Sequence, residues 1–366
     1  MKIEDTYFSL LRTSLWGTES KVGKEEIPGL VKIAFAQSTA GMVFDALLSC
    51  DVEIAPELSM KMKRHIARNI LMHGTLDSSI AKVVTDLKGL GIEGVLLKGQ
   101  GNAARYRRPE LRACGDIDYY VGEANFMKAV QYASALAGEK EIQYKRIIGK
   151  HYDVDWGEVH LEIHRKSEIL AGKKRDRIYQ EYSDNGLREG LVPIDINGVS
   201  VMTPEPTFNA FYIFHHAWHH FSAGGVGMRH LCDFTTCIHA FRDRIDRERL
   251  EKMVKSLGLE TPWKCFAYIA VEKLGLPAGE MPLYDSAMGR KGERLTRFIL
   301  KDGNFGRGRK PFMARPGNYV LGKAYALTNH VARFLRTACI SPHLACLELW
   351  FRIRHGLAAV FKDIRK

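Results

Sequence analysis

A chain of 366 residues, 46% hydrophobic and 26% charged, has the make-up of a globular protein and the length for two or three folded layers. Its formal charge of +12 and pI near 9.3 favour anionic partners such as nucleotides, nucleic acid, acidic glycans or a lipid surface. Seven scattered cysteines with no C-x-x-C pair exclude a disulfide framework and a cysteine zinc site.

No apolar run reaches the roughly 18 residues of a membrane span, and Met1 to Leu11 lacks the apolar core of a leader, so a cytoplasmic protein is expected. The first ninety or so residues read as helices. Ile66 and Ile70 sit one turn apart, and Ile80, Val83, Val84 and Leu87 repeat the helical spacing up to a C-cap at Gly89-Leu90-Gly91. Val95-Leu96-Leu97 is a short apolar run of the kind a buried strand needs. Asp116 to Val121 is β-rich, and Ala124 to Ala137 is helical again. Extended pieces are predicted at Gln143 to Ile148, Tyr152 to Trp156 and Val159 to His164, the last two joined at Trp156-Gly157-Glu158.

Residues 166–192 read as a polar surface excursion, followed by a hairpin over Pro193 to Met202 around Asn197-Gly198. From there on the chain reads as helical, with Thr203 as N-cap and Pro204 at the first position, apart from a Gly- and Arg-rich loop around Gly303 to Gly317. These elements predict an α+β fold: a small mixed sheet, N-terminal helices and a helical C-terminal domain forming the other wall of a cleft. The expected divisions are 1–75, 76–200 and 201–366.

Gly115-Asp116-Ile117-Asp118 heads a predicted strand, and alternation puts both carboxylates on one face, about 7 Å apart. Such a pair can hold one or two hard cations, as nucleotidyl transfer requires. A bare D-x-D is common by chance, and its neighbours give it weight. Lys98-Gly99-Gln100-Gly101 follows the apolar strand, with glycines that let backbone N–H groups approach a phosphate. Arg107, Arg108 and Arg112, with Tyr106 beside them, place cations just before the carboxylates. In Val159 to His164, alternation sends His160, Glu162 and His164 to one face and apolar residues to the other. Glu162 can then complete a metal site and help deprotonate an acceptor hydroxyl, with Asp153 and Asp155 as rivals.

These residues resemble the uncharacterised nucleotidyltransferase family of the DNA polymerase β-type superfamily. The likeness lies in Leu97-Lys98-Gly99, Tyr106, Arg112, the G-D-I-D run and Glu162-Ile163-His164, and extends to His216, His220, Arg229 and Asp233. It implies Mg²⁺ or Mn²⁺ held by Asp116, Asp118 and Glu162, as catalytic residues. It also implies nucleotide contacts at Lys98, Gly99, Arg112, His216 and His220, with a nucleoside triphosphate as donor and an unnamed small-molecule, glycan or macromolecular acceptor. The chain departs from the superfamily in having Gln100 after Gly99, a long step from Gly99 to Asp116, and Arg165 after the strand histidine.

Three other features compete. His215 and His219 lie one turn apart and invite a zinc reading, but no Glu completes an H-E-x-x-H pattern. A helix face bordering the nucleotide pocket, or core and surface histidines, are the other readings. Residues 290–323, with Arg290, Arg297, Arg307, Arg309, Lys310, Arg315 and Lys323 among aromatics such as Phe312, offer either a polyanion contact or a solvated basic face. Val331 to Ile364 is amphipathic, and reads as terminal helices packed either side of Pro342 or as a lipid-facing surface. The rival function is a non-catalytic polyanion- or nucleic-acid-binding protein on a transferase scaffold.

Overall fold

The computed structural model describes residues 2–306 and 319–350. Four helices come first: α1 (Ile3–Trp16), α2 (Ile27–Ala36), α3 (Ala40–Leu48) and the long α4 (Pro56–Gly89). The predicted stripe Ile80, Val83, Val84 and Leu87 is buried on α4, together with Leu76, and the end of the helix is turned by Gly91 at φ +73°. Then follow β1 (Val95–Leu96), a single turn α5 (Gln100–Ala103), β2 (Asp116–Tyr120), α6 (Gly122–Leu136), β3 (Ile147–Ile148), β4 (His151–Trp156) and β5 (Val159–His164). The sheet order is β1-β2-β5-β4-β3, with β2 and β5 parallel and the other pairs antiparallel.

The chain is α+β, as its sequence predicts. One face of the sheet carries Ile117, Tyr119, Tyr152, Val154, Leu161 and Ile163, packed in one core with the second half of α4 and with α6. The other face is polar.

After the sheet come α7 (Lys173–Gly186), the hairpin β6 (Val192–Ile196) and β7 (Val199–Thr203), then α8 (Pro206–Ala223), α9 (Met228–Phe241), α10 (Arg247–Ser256), α11 (Glu260–Tyr268), α12 (Gly289–Asp302) and α13 (Tyr319–Ala338). A last described helix starts at Pro342. Asn197 and Gly198 both take positive φ, as a two-residue hairpin turn demands.

Two expectations need correcting. Residues 166–192 contain α7, hidden in the sequence because its buried stripe is only Tyr179, Ser183 and Gly186. Gly186 is there for contact, since a Cβ would meet Phe208 at 2.3 Å. The helix after the hairpin starts at the second proline of the pair: Glu205 is the N-cap, accepting from the backbone N–H of Thr207 and Phe208 at 2.9 Å each. Thr203 instead ends β7 and donates to the Val192 carbonyl. Helices from 1–75 and from 201–366 contribute to one core. Tyr7, Leu11, Val43 and Phe44 pack in the same cluster as Phe211, Phe234, Trp263 and Ile299. The described residues therefore form two cores, with α4 running through both.

Of the basic segment, α12 presents Arg290, Arg297 and Lys301 to solvent. Arg307, Arg309, Lys310, Phe312 and Arg315 lie outside the described residues, as do the side chain of Lys323 and residues 351–366 of the C-terminal stretch.

Candidate active site

The parallel pairing of β2 with β5 sets Asp116 opposite His160 and Asp118 opposite Glu162. Neighbouring strands lie about 4.8 Å apart, so Asp116, Asp118 and Glu162 form one acidic cluster on the polar face. The antiparallel partner β4 adds Asp153 opposite Glu162 and His151 opposite His164. Register separates the three candidate carboxylates by position. Glu162 is next to Asp118, Asp153 is one strand further out, and Asp155 lies at the exposed end bonded to His160 at 2.7 Å.

Asp118 is the buried member, 4% exposed. Its Oδ1 accepts from Lys98 Nζ at 2.7 Å and lies 3.2 Å from His164 Nε2, which also reaches Glu162 Oε2 at 3.0 Å. Burial raises the Asp118 carboxyl, but Lys98 and His164 outweigh it and hold it far below the usual carboxylate range. Glu162 is lowered as well: burial and the Asp118 charge raise it, but the His164 hydrogen bond and the charges of His164 and Lys98 together outweigh them. Asp116 moves the other way, raised by desolvation and by repulsion from Asp118 and Glu162. Lys98 is raised, because Asp118 and Glu162 overcome its burial.

The donor chemistry of this cluster suits a hard divalent ion. Its donors are carboxylate oxygens, which Mg²⁺ prefers. The repulsion felt by Asp116 is what a cation would relieve, and the ammonium of Lys98 already stands as a positive charge against Asp118.

Gly99 needs to be glycine: its φ is +59°, and a Cβ would sit 3.0 Å from the Asp116 carbonyl oxygen. Gln100 is buried and turned away, donating to Asp77 Oδ1 at 2.6 Å. The departure from the superfamily at this position therefore anchors α5 on α4 and leaves the cleft untouched.

The carboxylates open into a cleft of about 300 Å³. Lys98, Gly99, Arg112, Asp116, Asp118 and His216 all line it, whereas Glu162 and His220 are outside the lining, next to Asp118 and His216. Arg112 is committed: its Nε and Nη2 donate to Asp233 at 2.6 and 2.8 Å, and Tyr106 donates to the same carboxylate at 2.6 Å. Arg112 contributes to the cleft as a fixed wall that ties the loop before β2 to α9. Arg108 is paired away from the cleft with Asp45 and Glu110.

Sequence reasoning gave no cleft role to Arg229, Ser38, Asn304 or Phe305, all of which line it. Arg229 donates to the Ala113 carbonyl at 2.6 Å while its buried Nε has no partner. Phe305 is exposed at a backbone φ of +52° and packs its ring 5.3 Å from that of His220. Arg229 carried a signal in the family likeness. The other three come from distant segments and carried none.

The family model described as an uncharacterised nucleotidyltransferase matches residues 23–275. The chain belongs to that family. Both walls of the cleft up to α9 fall inside the matched region. Among solved structures, an antigenic nucleotidyltransferase-like protein from Paracoccidioides brasiliensis is similar at 14% identity and a TM-score of 0.32, covering 59% of this chain and 96% of that one. No curated protein matches. Among the described residues, no helix is long and apolar enough to cross a membrane.

Proposed function

We propose that this cleft transfers a nucleoside monophosphate from a nucleoside triphosphate to a hydroxyl or phosphate acceptor. The observation that carries this reading is the β2–β5 register, which sets Asp116 and Asp118 in a cation-lined cleft with Glu162 paired beside Asp118. Asp116, Asp118 and Glu162 would hold Mg²⁺ or Mn²⁺. That ion supplies Lewis-acid stabilisation of the reacting phosphate and activates the attacking oxygen.

The chain's own residues do the rest. Lys98 and Arg229 meet phosphate charge, and Arg229 has a buried donor free for it. Gly99 gives the phosphates close access to the backbone, while His216 and His220 border the nucleotide. Arg112, held by Asp233, keeps the wall rigid. The acceptor oxygen bonds to the α-phosphorus, the bond from that phosphorus to the bridging oxygen breaks, and pyrophosphate leaves. The proton of an acceptor hydroxyl passes to Glu162, kept ionised by His164.

Calorimetric titration with each of the four nucleoside triphosphates, with and without Mg²⁺, tests the reading. The expected result is Mg²⁺-dependent binding that Asp116→Ala abolishes. The preferred base then goes into an acceptor screen, in which Asp118→Asn should lower turnover by roughly 10³-fold or more. Failure of the wild type to bind any nucleotide would sink the proposal in favour of the polyanion-binding scaffold.

A further inference from the structure

The opposite wall of the cleft carries a second cluster with different chemistry. His216 and His220 lie one turn apart on α8, and His230 comes from the first turns of α9. The zinc reading had paired His215 with His219. In the structure His215 instead packs against Tyr179 and Phe211, and the pair that meets is His216 with His220. Their Nε2 atoms are 3.1 Å apart, and one ring nitrogen from each of the three imidazoles lies within 4.8 Å of the others. Two ligands of a tetrahedral zinc ion, each at its usual bond length, sit roughly 3.3 Å apart. The two Nε2 atoms are already close to that spacing.

The third histidine is set up for the same task. Nδ1 of His230 faces the Gly227 carbonyl at 3.3 Å, an arrangement that places the ring hydrogen there and leaves Nε2 with its lone pair. An outer partner of this kind fixes tautomer and ring orientation in metal-binding histidines. The rings are also held by packing, His216 against Tyr212 and His220 against Phe305. Burial, Lys98 and neighbouring histidines push proton affinity down at His216 and His220, the latter to about 4, so at neutral pH both rings are neutral and each keeps one nitrogen lone pair.

We propose that His216, His220 and His230 form a three-histidine site for a divalent transition metal of the zinc class, with its fourth position open to the cleft. Imidazole sets of this kind suit zinc, copper, iron or nickel, whereas the all-oxygen cluster across the cleft suits magnesium. His216 and His230 both line the cleft, so the open position faces it. Three protein ligands with one open position is the arrangement of catalytic rather than closed structural zinc sites. Lys98 and Arg229 close by disfavour a bare dication, and an anionic oxygen at the open position offsets that charge. The site stands whether or not the cleft turns over a nucleotide.

The test uses the full chain, stripped by dialysis against a chelator and titrated calorimetrically with Zn²⁺ in excess Mg²⁺, which competes at the carboxylates. The expected result is one equivalent of Zn²⁺ per chain, an affinity weakened by about 100-fold or more in His220→Gln, and binding unchanged in Asp116→Asn. Co²⁺ in place of Zn²⁺ should give the visible absorption of tetrahedral coordination in the wild type and lose it in His220→Gln. Half-buried His220 is the variant most able to keep its fold, which metal-free circular dichroism checks, and His216→Gln serves if it does not. The proposal fails if the wild type takes up no stoichiometric Zn²⁺, if folded His220→Gln binds as tightly as wild type, or if Asp116→Asn removes the binding.

Discussion

The two walls of the cleft are built on different principles. The sheet wall owes its chemistry to a period of two: Asp116 and Asp118 on one strand, and His160, Glu162 and His164 on its neighbour, point the same way because alternate residues of a strand must. The helical wall owes its chemistry to docking. Arg112 and Asp233 are 121 positions apart, and they meet only because α9 packs beside the loop before β2. A wall made by local periodicity survives small shifts of its neighbours, whereas a wall made by docking depends on the contacts that hold it.

The largest effect on stability is therefore expected at the docking contact. Arg112 and Asp233 have side chains only 4% exposed, and Arg112 holds the Asp233 carboxyl down near 2 against the pull of burial. Asp233→Ala strands a buried guanidinium and also removes the acceptor of Tyr106, at a cost of about 3–5 kcal/mol. The urea midpoint measures it. Replacing both partners, with Arg112→Met added to Asp233→Ala, should recover part of the loss, because an apolar pair leaves no charge unpaired. If Asp233→Ala is nearly as stable as wild type, the helical wall is not pinned by this pair.

A second test uses pH. His215, on the same wall, is buried with Nδ1 unpartnered, and burial depresses its proton affinity to about 3. An unfolded histidine takes up its proton near pH 6.5. Between roughly pH 6.5 and 3 the unfolded chain thus binds a proton that the folded one refuses. Stability is full above that window and falls as the pH drops through it, by up to about 1.4 kcal/mol per pH unit for one such group. His215→Phe removes this uptake, so its stability between pH 6 and 4.5 should fall less steeply than that of the wild type by about one proton. Urea unfolding at several pH values reads the slopes, and equal slopes would show that His215 is not held neutral.

The same contrast explains what was legible in the sequence. Alternation put Asp116, Asp118 and Glu162 on polar faces, and the G-D-I-D run with its lysine and glycine resembled a known family. That β2 and β5 run side by side and parallel was not legible, because register depends on the connection through α6, β3 and β4. Gln100 looked like a change in the phosphate loop and proved to face Asp77 on α4. Polar composition concealed α7, whose single buried stripe carries one aromatic, Tyr179. His230, Ser38, Asn304 and Phe305 reach the cleft from segments whose approach no local pattern specifies.

The smallest expected effect sharpens the comparison from the sheet side. Asp116 sits at the exposed end of its strand with a raised proton affinity, from desolvation first and then from Asp118 and Glu162. Its negative charge works against the metal-free fold. Asp116→Asn removes one of three repelling charges while keeping shape and polarity, so the metal-free protein should gain stability, by no more than about 0.5 kcal/mol for a group this open to water. Thermal unfolding without divalent ions measures the gain. Mg²⁺ should then raise the wild-type Tm and leave that of Asp116→Asn nearly unmoved, because a ligand stabilises only the state that binds it. A variant destabilised without metal would mean that Asp116 has a structural partner and that the crowding of the three carboxylates is not kept for a cation.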